Sequence, residues 1–244
     1  METIVKSVSR GANGPDVKLI QEWLTLDGIA TAIDSDFGPA TEKAISLFQE
    51  RNQIGVTGIV GIETWQALSK PITSAVQIIP QDGMTRAQLT VAYAQQHLLS
   101  RPREVGGENC GPWVRLYCAG QERLPWCAAF ASYCLKQAWA NAKTPIAVSY
   151  SCDALAASGK ATSRFMAFPA TAAGRNKINP GSFFLIRKPD GSGWHHTGIV
   201  TAIHLQTFET IEGNTNDDGS REGYEVCARV RAFNPAHPVD FILM

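Results

Sequence analysis

The apolar residues of this 244-residue chain change their period once, and that change limits the fold more than any other feature. Up to about residue 142 they recur at three- and four-residue spacing, as on one face of a helix. In the last third they fall in short runs rich in β-branched and aromatic residues: Ser182–Arg187, His196–Ile203, Thr207–Glu212 and Glu225–Val230. The turn cluster Pro189-Asp190-Gly191-Ser192-Gly193 separates the first two runs. Helices followed by a meander of strands predict an α+β fold with an antiparallel sheet.

The helical part begins with a module of its own. Val17, Ile20 and Leu24 follow the turn Gly14-Pro15-Asp16, and a second helix is expected after Gly38, with Pro39 at its first position, where a missing N–H costs nothing. Ala44, Ile45, Leu47 and Phe48 form its stripe, and a third helix near Ile62 should bury Trp65 and Leu68. Phe37-Gly38-Pro39-Ala40-Thr41 and Val60-Gly61-Ile62-Glu63-Thr64 repeat one G-x-x-T pattern, so the same tight turn should open two helices. The chain divides as 1–70 for this module, 71–83 for a proline-bearing linker, and 84–244 for a larger domain. That domain opens with a helix carrying Leu89, Ala92, Tyr93 and Gln96, then a polar stretch at 101–111 and a short helix around Val114 and Tyr117.

With 44% hydrophobic and 18% charged residues the chain can bury a real core. Formal net charge is zero, which excludes the basic field of a nucleic-acid binder. Residues 1–70 hold nine acidic and six basic side chains; residues 85–244 hold twelve acidic and sixteen basic. A mildly basic C-terminal part suits an anionic polymer, as it suits ordinary solvated surface. The start, METIVKSVSR, lacks a leader's apolar core, and no run is long enough to span a bilayer. We expect synthesis in the cytoplasm without a signal peptide, no membrane insertion, and release or delivery before any action outside the membrane. The six cysteines, at 110, 118, 127, 134, 152 and 227, form no C-x-x-C pair and no zinc-type cluster, so no metal is expected. Cys110 and Cys118 would pair only in an oxidising compartment.

Cys127 stands apart from the other cysteines. Leu124-Pro125-Trp126-Cys127-Ala128-Ala129-Phe130 opens a helix expected to run to about Ala142, with Cys127, Ala131, Cys134 and Ala138 on one side. A thiol at a helix start and within reach of an imidazole ionises more readily, and the thiolate is the nucleophile. The strand His196-Thr197-Gly198-Ile199-Val200 offers that imidazole. Neighbours on a strand point oppositely, so only one of His195 and His196 can face the sulfur. His196 shares its face with Gly198, whose missing side chain should leave room beside the helix start. A third polar group should orient the ring, and Glu212-Gly213-Asn214 places two candidates, Glu212 and Asn214, two residues apart.

Two family resemblances complete the reading. Arg10-Gly11, Gly14, Asp16-Val17, Leu19, Gln21, Asp36-Phe37-Gly38, Thr41, Ala44, Phe48-Gln49, Gly58-Ile59-Val60-Gly61 and Thr64-Trp65 resemble the three-helix peptidoglycan-binding domain family over residues 5–69. Trp126-Cys127-Ala128-Ala129-Phe130, Gly181-Ser182-Phe183-Phe184, His196-Thr197-Gly198-Ile199-Val200 and Glu212-Gly213-Asn214 are similar to the CHAP family of papain-like cysteine amidohydrolases and peptidases, over about 86–232. Glu104, Gly107, Asn109, Gly111, Val114 and Tyr117 join that match. Ser182 departs from it, standing where an Asp is common.

The resemblance implies a small three-helix domain followed by a papain-like domain, with Cys127 as nucleophile, His196 as general base and then acid, and Glu212 or Asn214 as its orienter. Trp126, beside the nucleophile, is the candidate for substrate contact. No cofactor is implied, the partner is bacterial peptidoglycan, and a monomer suffices. A phage or prophage endolysin fits this arrangement. A secreted toxin with the same chemistry would add an immunity protein. A wall-binding protein with an inactive domain, and a protein-directed peptidase anchored to the wall, are the readings from other classes.

Overall fold

A computed structural model describes residues 3–4, 6–140, 142–216 and 223–244. The N-terminal segment read as lacking a leader core lies partly outside them, at residues 1, 2 and 5. No described helix is long and apolar enough to cross a membrane.

The first module is built from α1 (Pro15–Leu26), α2 (Pro39–Arg51) and α3 (Ile62–Leu68). Gly38 and Gly61 precede α2 and α3 in the same extended conformation, as the G-x-x-T repeat requires. The repeat runs deeper than its turns. Buried Gln21 accepts from the N–H groups of Asp34 and Ser35 and donates to the Thr41 hydroxyl. Gln49 does the same one unit later, accepting from Thr57 and Gly58 and donating to Thr64. Each glutamine side chain thus holds the loop that leads into the next helix. Gln49→Leu keeps the volume but strands two backbone donors, and should cost about 2–4 kcal/mol. Denaturant unfolding of the intact chain followed by Trp fluorescence checks this.

The expected linker is partly helical. Lys70–Ala75 forms α4, with Pro71 in its first turn and Ile72 and Ala75 buried. Two prolines and a six-residue length hid it from a periodicity argument, although proline is at home in a first turn. The stretch that follows is tied down: Gln96 donates to the carbonyls of Ala75 and Gln77, and the Ile79 N–H donates to the Tyr93 hydroxyl.

The larger domain opens with α5 (Arg86–Leu99), started by a reciprocal capping box between Thr85 and Gln88. It continues through α6 (Pro112–Tyr117), α7 (Cys127–Trp139) and α8 (Cys152–Ala161). Helix α7 ends three residues earlier than the sequence suggested. Then come β1 (Phe165–Met166), α9 (Ala172–Arg175), β2 (Phe183–Arg187), β3 (Trp194–Ile203), β4 (Thr207–Thr215), β5 (Glu225–Ala232) and β6 (Val239–Ile242). The sheet order is β1-β6-β2-β3-β4-β5, with every pair antiparallel, so the fold is α+β. Helices α5 and α7 pack on one another, and α7 lies on β3 and β4. Ala128, Ala129 and Ala131 are fully buried, and such short side chains let the helix axis approach the sheet closely.

The two parts are docked. Glu22 of α1 is fully buried and receives both terminal nitrogens of Arg115 from α6, at 3.1 and 2.5 Å. Arg115 also reaches Glu122 at 2.5 Å. Trp23 meets Trp113 edge-on at 5.9 Å, and Arg103 donates to the Leu26 carbonyl. A buried ion pair fixes geometry more surely than it adds stability.

Candidate active site

Cys127 is the first residue of α7, where backbone N–H groups have no intrahelical partner. Trp126 precedes it as N-cap, fully buried. Its indole N–H donates to Glu104 at 2.8 Å, and its ring stacks on Tyr117 at 5.5 Å. Trp126, the candidate for substrate contact, thus uses its indole to seat the start of α7.

Gly213 explains how β4 can lie against that helix start. A Cβ there would come within 2.7 Å of Phe130 Cβ and 2.8 Å of Trp126 Cζ3. Gly198 has a different job from the one expected. Its Cβ would strike Glu212 Cγ at 2.8 Å and Phe184 Cε1 at 2.9 Å, so the space it frees is used by the carboxylate and not by the helix.

His196, 3% exposed, donates from Nε2 to Glu212 Oε2 at 2.8 Å. Its Nδ1 has no hydrogen-bond partner, and Cys127 lies near enough for thiol and imidazole to shift each other's ionisation. His196 thus touches the Glu212 carboxylate and acts electrostatically on the Cys127 sulfur. His195 is the extra residue of a β-bulge: Ile186 pairs with His196 while Arg187 pairs with Trp194. Simple alternation does not apply there, but His196 is the histidine that meets Glu212.

Asn214 follows a second irregularity. The β4–β5 register shifts between Glu212 and Thr215, and Asn214 takes φ 53°. It is buried, and its Oδ1 has no hydrogen-bond partner. Of the two candidate orienters, Glu212 is the one in contact with His196.

Glu212 is itself held on all sides. Arg231 reaches its two oxygens at 2.6 and 2.5 Å, and the Thr210 hydroxyl donates to Oε1 at 2.6 Å. The Arg231 guanidinium lies over the Phe184 ring at 5.0 Å. Burial would raise the Glu212 pKa, but the His196 and Arg231 contacts outweigh it and lower it to about 2. Burial would lower that of His196, yet the Cys127 and Glu212 contacts raise it to about 9. The Cys152 thiol and then His196 hold Cys127 well below an ordinary thiol, against burial, with the Thr197 N–H adding to the effect. Both shifts favour the thiolate–imidazolium form of the pair.

Arg231, Thr210 and Cys152 were missed in the sequence. A buried carboxylate demands a cationic or donor partner, so an arginine on the strand beside Glu212 was the available signal for Arg231. Ser151-Cys152-Asp153 carried a helix-start signal, a serine cap followed by an acidic first turn, that went unread.

An α+β domain with a buried cysteine, histidine and glutamate at one site, docked to a three-helix module, is the class that fold and site define. Two family models then match the chain: "Putative peptidoglycan binding domain" over residues 13–68, and "CHAP domain" over residues 119–214. The chain therefore carries an N-terminal peptidoglycan-binding domain and a C-terminal CHAP domain, a pairing that supports a peptidoglycan hydrolase. Among solved structures it is similar to the SleB N-terminal domain, at 36% identity over 27% of this chain and 90% of that one. It is also similar to a peptidoglycan-binding protein from Clostridioides difficile, at 40% identity over 26% and 40% of the two chains. A Burkholderia AP3 phage endolysin matches at 27% identity over 36% of each chain. The TM-score is 0.26 in all three cases. No curated protein matches the chain.

Proposed function

We propose that the chain hydrolyses an amide bond of bacterial peptidoglycan, with Cys127 as nucleophile, His196 as proton carrier and Glu212 as the residue that orients His196. The observation that carries this reading is the 2.8 Å contact of His196 with Glu212 within the CHAP match, beside a Cys127 thiol whose ionisation the imidazole favours. The Cys127 thiolate attacks the amide carbonyl carbon, and the N-terminal N–H groups of α7 favour the developing oxyanion. The His196 imidazolium gives its proton to the departing amine, leaving a thioester on Cys127. Water, deprotonated by His196, then attacks the thioester, and the carboxylate product leaves as the thiol re-forms. Glu212, anchored by Arg231, holds the ring in one orientation through both halves.

Residues 1–70 serve as the wall-binding part and 84–244 as the catalytic part, which raises the local concentration of bonds to be cut. The protein acts at the cell wall, as a phage or prophage endolysin. Incubation with purified sacculi, followed by mass spectrometry of the soluble fragments, tests the proposal. Fragments with newly freed amino groups, or stem peptides parted from their sugars, are the expected result. New reducing sugar ends would show a glycosidase, and no release at all under reducing conditions would end the reading.

The two histidines give a sharper test. A general base contributes about a hundredfold to ten-thousandfold. His196→Ala should lower the rate on sacculi by that order, and His195→Ala by much less. The rate should rise with pH through the ionisation of the coupled Cys127/His196 pair and fall again as His196 loses its proton near pH 9. A dead His195→Ala beside an active His196→Ala would overturn the assignment.

A further inference from the structure

The nucleophile has a second sulfur beside it. Cys127 Sγ and Cys152 Sγ lie 3.8 Å apart, each on the first residue of its helix, α7 and α8. Helix α8 is held in place by Asp153, which accepts from the Trp194 N–H at 2.7 Å and from Lys188 at 3.0 Å. All six cysteines are buried and outside any disulfide, and the thiols of Cys127 and Cys152 are in contact. Hydrolysis as described above uses only one of the two.

We propose that Cys127 and Cys152 form a reversible redox lock: a peroxide oxidises Cys127, and Cys152 closes on it as a disulfide. The Cys127 thiolate attacks the peroxide O–O bond, taking one oxygen as sulfenic acid while the other leaves as alkoxide or hydroxide and takes the His196 imidazolium proton to become alcohol or water. The Cys152 sulfur then attacks the Cys127 sulfur, and the sulfenic hydroxyl departs with the Cys152 proton as water. Electrons balance, since the peroxide is reduced by two and the dithiol oxidised by two. The reduced pair is primed for this order of events. Contact with Cys127, first, and burial raise the Cys152 thiol, so Cys127 is the sulfur that meets the oxidant. Once Cys127 is a neutral sulfenic acid its charge no longer holds the Cys152 proton in place. Bond formation needs the sulfurs to close from 3.8 Å to about 2.0 Å, a shift that side-chain rotation at two helix starts can supply. The lock would silence the nucleophile and spare it from irreversible oxidation to the sulfinic acid.

The test reads sulfur chemistry directly, so it is independent of the hydrolytic reading. The full chain is treated with hydrogen peroxide, denatured, alkylated and mapped by mass spectrometry. Wild type should fall from six alkylated cysteines to four, lose two hydrogens in mass, and yield a peptide pair joined through Cys127 and Cys152. Dithiothreitol should restore all six. Cys152→Ser should instead gain oxygen on Cys127 that dithiothreitol does not remove, and Cys152→Ala gives the same readout should the serine variant not fold. Cys118→Ser, which alters another cysteine that feels the Cys127 charge, should lock like wild type. A treated wild type with oxygenated Cys127 and no joined peptide would overturn the proposal. So would a bridge to Cys118, or a Cys152→Ser variant as reversible as wild type. Sacculus lysis measured in parallel separates the two ideas: a disulfide that forms in a protein with no lytic activity would end the proposed function and leave the lock standing.

Discussion

Cys127→Ala is expected to reduce lysis of purified sacculi to background, a loss of at least about a thousandfold. The substitution removes the thiol whose ionisation His196 favours and leaves the rest of the site in place. Alanine suits a helix start already followed by Ala128 and Ala129, and Trp126 keeps its bond to Glu104. The fold should therefore survive, with far-UV circular dichroism and the denaturant midpoint close to wild type. Binding should survive as well, because the matched wall-binding residues 13–68 lie in the other module. The inactive variant then becomes a reagent: co-sedimentation with intact sacculi measures affinity with no substrate being consumed. Cys134→Ala is the matched control, since Cys134 is a buried cysteine of the same helix whose thiol burial pushes well above the ordinary range. It should cost some stability and little activity. A Cys127→Ala protein that keeps even a tenth of the wild-type rate would remove Cys127 from the chemistry, whatever its geometry.

What could be read from the sequence and what could not differ for physical reasons. Helix starts at Pro15, Pro39 and Ile62 were legible because turn residues and apolar spacing are local signals, and the structure has its first three helices there. Strands β2 to β5 were legible from composition, within a few residues at their ends. Strand β6 was not, although it lies between β1 and β2 in the sheet. It has four residues after two nearby prolines, and its partners are distant in sequence. Helix α8 was overlooked despite its cap. The bulges at His195 and between Glu212 and Thr215 are invisible to a period-two argument, which is why Asn214 looked equivalent to Glu212. The Cys127–Cys152 contact depends on where two separate helices begin in space, and no spacing in the sequence encodes it.

Glu212→Gln should cost both activity and stability, and the two losses should depend on pH in a way that a merely structural change would not reproduce. The amide can still touch His196, but it cannot balance the imidazolium or the Arg231 guanidinium. We expect a rate loss of about a hundredfold to ten-thousandfold on sacculi. Breaking a buried pair by removing one partner costs about 3–5 kcal/mol. The sign of the pH dependence follows from the shifts. Glu212 is lowered from 4.5 to about 2, so its contribution is present above 4.5 and is lost as pH falls through 2. His196 is raised from 6.5 to about 9, so its contribution is present below 6.5 and is lost as pH rises through 9. The stability gap between wild type and Glu212→Gln should therefore be widest between about pH 4.5 and 6.5. It should close toward pH 2, and narrow only partly above pH 9, where the Arg231 contact persists. Urea unfolding at pH 3, 5.5 and 9.5 measures the gap. Arg231→Met provides the second arm: it leaves the His196–Glu212 bond but frees the carboxylate to move, so it should lose less activity than Glu212→Gln. If Glu212→Gln stays nearly fully active with a gap that does not change with pH, the carboxylate has no part in the site. Asn214, buried with an unpartnered Oδ1, would then be the residue to test next.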